Sequence, residues 1–415
     1  MTRTGIAFLV CSLVMLSAAA DAATHHVDCA GGGDHLTIQD AVDAAASGDT
    51  ILVAACTYEE QVTVIGKHLT IEGDGWETTE ITTGASGFTV RFDGLPVVEP
   101  ESYLTDIRVS HAEPVRRCVR VGSPSVVLER CRIDQEMQVG SEDGGRAEVR
   151  DCVIDELSVG GIWGHAVVSE CEIGSLVAGG GYDGWVYWWG FAESSSSAIG
   201  TLLVIGGGAD SQDDAVELVQ IEAHLDCYST LDAADGSFGE FRVNGGGDIS
   251  VARCEMDSIV YYPDVDGNLE LSGCLVRGGF RGTFWDWGGI PLWVNLTHNT
   301  ILGDFSYEVP SCPCFGQFLS NIVMGSVDIE EPVGLEFRNN DILGDVNAPG
   351  ATFIDNISED PLFCEAQTGD YTLQDCSPCL GAAHDGGDIG AFGEGCECDV
   401  AVEDASWGRI KDLYR

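Results

Sequence analysis

Lysine is almost missing from this 415-residue chain. Only Lys67 and Lys411 occur, and 68 acidic residues leave a formal net charge of −49. Such a field repels nucleic acid and anionic membranes, so no nucleic-acid partner is expected. It also opposes polyuronate substrates unless cations bridge. The plainer role of the charge is solubility. Long apolar runs are missing as well, apart from one at the start. Arg3 precedes Ile6 to Leu16, and the small residues Ser17 to Ala23 follow. A bilayer-spanning helix needs about 20 apolar residues, and this run is shorter. It reads as a signal peptide over residues 1–22, cleaved near Ala20 to Ala23. Cys11 follows Val10 rather than a small residue, which speaks against a lipoprotein signal. No membrane span is expected, and the mature chain is expected to be secreted or held at the cell surface.

Cysteine is plentiful, at 17 residues. Three copies of one phrase organise the middle of the chain: Val126 to Ile133, Ala147 to Ile154 and Ala166 to Ile173. Their cysteines, Cys131, Cys152 and Cys171, recur after 21 residues (131 to 152) and then 19 (152 to 171). A repeat of about 20 residues implies a solenoid, in which no single repeat can bury its apolar face alone. Apolar residues sit five and three places before each cysteine and two places after it. A strand's period of two is kept on either side and broken between. The phrase therefore predicts strand, sharp bend, strand, with the cysteine just inside the corner. Copies around Cys254 and Cys274 keep the frame, and Asn299, Asn321 and Asn340 take the same position later. Asparagine tolerates left-handed backbone and bonds nearby peptide groups, which suits a bend. Stacked in successive coils, these residues predict an internal ladder. Three stacked thiols cannot all pair, so they are expected to be small apolar fillers rather than disulfides or a zinc site.

Ahead of the ladder, His35 to Ala46 predicts a short helix capped by Thr37 and ended by Gly48. Strands are expected at Thr50–Ala54, Gln61–Ile65 and His68–Glu72. Between 179 and 247 the repeat fades, with room for about four coils. Ser194–Ser197 is expected in a loop there. After Asp360, Cys364, Cys376, Cys379, Cys396 and Cys398 crowd together, which suggests a disulfide-tied cap, with zinc as the other reading. Val402 to Arg415 has near-helical apolar spacing.

Thr37-Ile38-Gln39-Asp40-Ala41-Val42, Gly48-Asp49-Thr50-Ile51-Leu52-Val53, Thr57-Tyr58-Glu59-Glu60 and Leu69-Thr70-Ile71-Glu72-Gly73 resemble the first coils of pectin-lyase-like proteins. These are right-handed parallel β-helices, pectin methylesterases among them. Asp360-Pro361-Leu362-Phe363, Gly369 to Leu373, Ser377-Pro378 and Asp388 to Ala391 resemble the closing segment of secreted β-helix repeat proteins of bacterial type. The resemblance implies an all-β chain, a single-stranded right-handed parallel β-helix with a short N-terminal capping helix and a cysteine-rich C-terminal cap. Residues 23–359 would form the helix with its N-terminal cap, 360–400 the closing segment and 401–415 an amphipathic tail. Where such proteins often carry glycine before Thr-Tyr, this chain has Cys56, and a disulfide to Cys29 is expected.

Function is less sharply written. The signature segments of pectin methylesterases are absent, and Asp213-Asp214 and Arg409-Ile410-Lys411 echo only fragments of polygalacturonases. No complete pectin methylesterase, polygalacturonase or pectate lyase motif is present, and catalytic residues stay unassigned. Arginines gather at 108, 116, 117, 120, 130, 132, 146 and 150, where interleaved acids such as Glu129, Asp134 and Asp151 would pair with them. Two aromatic groups stand out: Trp185, Tyr187, Trp188, Trp189 and Phe191, and Phe284, Trp285, Trp287 and Trp293. Planar rings stack on sugar faces, so Trp185, Trp188, Trp189, Trp285 and Trp287 are candidates for carbohydrate binding. The alternative is that they fill the interior. Asp264, Asp266 and Asn268 crowd oxygens around a turn that could take calcium, although aspartate-glycine is also plain turn chemistry. No cofactor is required and a monomer is expected. Two functions fit: a protein that binds, and in one version modifies, extracellular polysaccharide, or a non-catalytic solenoid of the cell surface or matrix.

Overall fold

The computed structural model describes residues 22–94, 101–114, 117–122, 125–140, 144–179, 189–222, 229–262, 267–283, 292–308, 314–330 and 334–398. The chain winds into a parallel β-solenoid of about 14 turns with 3% helix. One long sheet has 16 strands and the other 21. Every pairing within both is parallel, as in Val126, Leu128 against Ala147, Val149 and then Ala166, Val168. Among the described residues no helix is long and apolar enough to cross a membrane.

The broken period is a corner. Val126, Leu128, Cys131 and Ile133 are buried, as are their equivalents in the next two coils. The residue just before each cysteine has left-handed backbone: Arg130, Asp151, Glu170 and Arg253, with φ between 49° and 56°. The asparagine coils behave alike, with His298, Ser320 and Asn339 left-handed. The ladder asparagine is thus not the bending residue itself. It sits one place later, where its amide faces inward. Left-handed backbone costs a non-glycine residue about 1–3 kcal/mol. The corner offsets this by using both of its peptide groups. Arg130 N donates to Arg150 O in the next coil, and Val153 N donates back to Cys131 O.

The coils hidden in the sequence follow the same frame. Ser197, Asp214 and Gly236 occupy the corner position after left-handed Ser196, Asp213 and Asp235. Ser194 and Ser197 are buried, so Ser194–Ser197 is strand end and corner rather than loop. Small polar residues there fill an interior position because Asp214 satisfies them. Its carboxylate accepts from Ser194 Oγ at 2.6 Å, Ser211 Oγ at 2.7 Å and Ser197 N at 2.9 Å.

The first coil is covered by a helix, Ile38–Ala44, shorter than the sequence pattern suggests. Thr37 accepts from Asp40 N, and the Glu60 carboxylate accepts from Ile38 N and Gln39 N at 2.8 Å each. Lys67 donates to Val42 O and Asp43 O at the other end, where a cation suits the helix dipole. Ile38, Ala41 and Val42 bury against the coil and hide its open edge. A Cys29–Cys56 disulfide ties the first strand to it. At the far end, residues 360–398 carry a small three-stranded sheet with Cys364–Cys396 and Cys376–Cys398 disulfides. Leu373, Cys379, Ala383 and Ile389 form a second core there with Ile322.

Candidate functional site

Alternation along each strand of the 16-stranded sheet decides what faces out. In strand Trp189–Ser195, Ala192 and Ser194 point inward, which turns Phe191 and Glu193 outward. Parallel in-register pairing then stacks equivalent residues about 4.8 Å apart along the solenoid. One outward row reads His165, Phe191, Gly208, Thr230, Asp248, Asn268, Trp293, Phe315. The adjacent row reads Glu148, Val167, Glu193, Asp210, Asp232, Ser250, Glu270, Asn295.

Aromatic rings bracket the first row. Phe191 is exposed and lies over Gly208, where an added Cβ would sit 2.6 Å from its ring. Trp293 is 49% exposed and stacks on Phe315 at 5.3 Å. Between these ends, Phe191, Asp210, Thr230, Asp232, Asp248 and Asn268 line a shallow depression of about 310 Å³. Its floor is acidic. Glu193, Asp210 and Asp232 stack in consecutive coils, which opposes folding because like charges face one another. Asp210 is held above the ordinary carboxylate range by burial first, then by Asp232 and Glu193; a hydrogen bond from Gln212 works the other way. His165 meets Glu193 at 2.8 Å at one end of the row. The depression thus offers exposed ring faces, hydroxyls and carboxylate acceptors, and rejects anions.

A second groove, about 610 Å³, runs over the 21-stranded sheet past Glu172, Glu217, Glu255 and Asp257. Arg277 closes it in a pair with Glu255, and among the described residues no exposed aromatic ring lines it.

The residues singled out from sequence divide clearly. Trp185, Trp188, Trp285 and Trp287 lie outside the described residues, as do Asp264, Asp266 and the tail after 398. Trp189 begins a strand of the long sheet, and nothing is described of its side chain. Asn268 sits in the first outward row, its Oδ1 buried without a hydrogen-bond partner among the described residues. Cys131, Cys152, Cys171, Cys254 and Cys274 are unpaired, buried thiols of the interior. Asn299, Asn321 and Asn340 continue the same line. The arginines are mostly spoken for: Arg108 and Arg132 with Asp134, Arg117 with Glu136, Arg130 with Asp106 and Glu129, Arg150 with Glu148. Phe191, Trp293 and Phe315 and the carboxylates of the depression were not brought together by sequence reasoning. Counting back from the corner position would have found them. Each member of the first row stands six places before its coil's cysteine, serine, aspartate, glycine or asparagine, and each member of the second row four.

No protein-family model matches the chain, and no curated protein sequence does either. Among solved structures, it is similar to pectin methylesterase from carrot, with 15% identity, 70% of this chain and 82% of that chain covered, and a TM-score of 0.27. It is also similar to the catalytic domain of a GH87 alpha-1,3-glucanase, with 10% identity, 77% and 66% coverage and a TM-score of 0.38. Pectin methylesterase PemA from Erwinia chrysanthemi gives 11% identity, 57% and 79% coverage and a TM-score of 0.25. The parallel β-solenoid itself is read from the strand pairings of this chain.

Proposed function

We propose that this is an exported protein that binds neutral polysaccharide along the outward face of the 16-stranded sheet. The observation that carries this reading is the row in which Phe191 stands at one end, stacked Trp293 and Phe315 at the other, and acceptor groups between. A sugar chain running along the solenoid axis would lay ring faces on the aromatics and donate hydroxyl hydrogens to Asp210, Asp232 and Asp248. A polyuronate would meet those same carboxylates with its own charge, so neutral chains are favoured. Residues 23–359 form the binding body in this reading and 360–400 close it. Retention on insoluble neutral glucans, mannans and xylans tests the reading. Trp293→Ala with Phe191→Ala should weaken retention roughly tenfold, at about 1 kcal/mol or less per ring. Retention of no neutral polymer, or equal retention by the double variant, overturns it.

A second reading, hydrolysis of the bound chain, is favoured by Asp210. Burial and the carboxylates of Asp232 and Glu193 make its carboxyl hold a proton more tightly than an ordinary aspartate does, and proton donation by a raised carboxyl is one half of what glycoside hydrolysis needs. New reducing ends at mildly acidic pH, lost in Asp210→Asn, would support it. Their absence across the retained polymers leaves binding alone.

A further inference from the structure

Three successive left-handed corners, His298, Ser320 and Asn339, hold the closing segment against the last coils. Asn339 Nδ2 donates to Ala382 O at 3.0 Å, and His384 N donates to Ser320 Oγ at 2.9 Å. Gly390 N donates to Ser320 O, and Ala391 N donates to Thr300 Oγ1. These bonds bring the His384-Asp385 pair of the segment beside His298 of the solenoid. One nitrogen of each ring and one oxygen of Asp385 lie within 4.8 Å of one another.

We propose that His298, His384 and Asp385 bind a zinc ion that fastens the closing segment to the solenoid. The orientation of each ligand fits. His298 Nδ1 faces Asp388 O at 2.9 Å, and a carbonyl only accepts, so that nitrogen carries the proton and Nε2 keeps its lone pair. His384 Nδ1 is engaged by Ser320 Oγ at 2.8 Å, which leaves Nε2 of the second ring. Gly387 N donates to Asp385 Oδ1 at 2.9 Å and leaves Oδ2 toward His298. An imidazole whose far nitrogen is tied to a carbonyl or hydroxyl is the usual support for a metal ligand. His298 Nε2 and Asp385 Oδ2 are 3.4 Å apart. Two ligands about 2.1 Å from a tetrahedral zinc are separated by about 3.4 Å.

Two imidazoles and one carboxylate suit zinc and exclude calcium or magnesium, which take oxygen alone. Three protein ligands leave a fourth position for water, and the partly exposed His298 and Asp385 let the ion enter. The other cluster of similar make-up, Asp375 with Cys376 and Cys398, offers no thiolate, because its cysteines are joined to each other. The ion's role follows from its place. It would link a corner of the solenoid to a segment far along the chain, at the end where the last coil needs covering.

The test uses the full-length protein stripped with a chelator. Zinc is titrated in competition with a chromophoric chelator, and cobalt serves as a visible probe of four-coordinate geometry. One zinc equivalent beyond that bound by His298→Ala/His384→Gln is expected, with a raised melting midpoint and a cobalt d–d band that the variant lacks. The double variant sets the baseline because the described residues alone also hold seven thiols. Asp385→Asn keeps both rings and their hydrogen bonds, and should weaken zinc at least about tenfold, so the proposal stays testable if the double variant misfolds. Equal zinc binding by wild type and Asp385→Asn, or no zinc-dependent rise in melting midpoint, overturns it.

Discussion

The inward corner position carries thiols at Cys131, Cys152 and Cys171 but amides at Asn299, Asn321, Asn340 and Asn356. In the thiol coils, Cys131 N reaches Cys152 Sγ at 3.3 Å, and Cys152 Sγ turns to Arg150 O at 3.1 Å. The inward strand residues beside them are aliphatic: Val126 and Leu128, then Ala147 and Val149, then Ala166 and Val168. In the amide coils each Oδ1 accepts the previous coil's backbone N–H at 2.9 Å, and each Nδ2 donates back to a carbonyl at 2.7–2.9 Å. Phe318, Phe337 and Phe353 stack above one another there, at 4.5 and 4.9 Å. An amide offers an acceptor and two donors, so it ties its coil to both neighbours. A thiol is a weak donor and weak acceptor, and fills space more than it bonds. The same fold is therefore held by polar continuity at one end and by packing in the middle.

The sharpest way to break the comparison is Asn321→Ala. It strips the acceptor from Asn299 N and Nδ2 and the donor from Leu296 O, all buried. Each orphaned group costs about 1–3 kcal/mol, so a loss of about 4 kcal/mol is expected in urea unfolding. Cys152→Ala removes a sulfur from packing and leaves one long N–H contact unmet, so about 1–2 kcal/mol is expected in the same measurement. A loss as large as that of Asn321→Ala would erase the distinction. Smallest is Asp210→Asn, on the outward face. Because the folded Asp210 pKa is raised, its contribution to stability is present below the unfolded carboxylate value and lost as pH rises through the folded one. At neutral pH the substitution should stabilise by about 0.5 kcal/mol, with no gain at pH 3, read as the shift in unfolding midpoint.

The sequence showed the ladder wherever the corner residue was cysteine or asparagine and its neighbours were large and apolar. It hid the ladder from 179 to 247, because Ser197, Asp214 and Gly236 resemble loop chemistry and Ala192, Ala209 and Ala233 barely mark a core. The physical reason is a division between the sheets: the 16-stranded sheet turns small side chains inward there, the large ones (Leu202, Ile221, Phe241) come from the other sheet, and the Asp214 carboxylate makes buried serines tolerable. The outward site was illegible for a different reason. Phe191 and Trp293 are about a hundred residues apart, and only the register of five intervening strand pairings sets them in one row. The cluster of His298, His384 and Asp385 was equally hidden, since a corner of one coil and a turn of the closing segment meet only once the chain has folded back.

Trp293→Ala and Asn321→Ala, compared for both melting midpoint and polysaccharide retention per folded molecule, test the division between inner ladder and outer site most directly. Trp293→Ala should keep the midpoint within a few degrees and weaken retention about three- to fivefold, while Asn321→Ala should lower the midpoint and keep retention per folded molecule. Retention that follows the Asn321 substitution and ignores the Trp293 one would contradict the account.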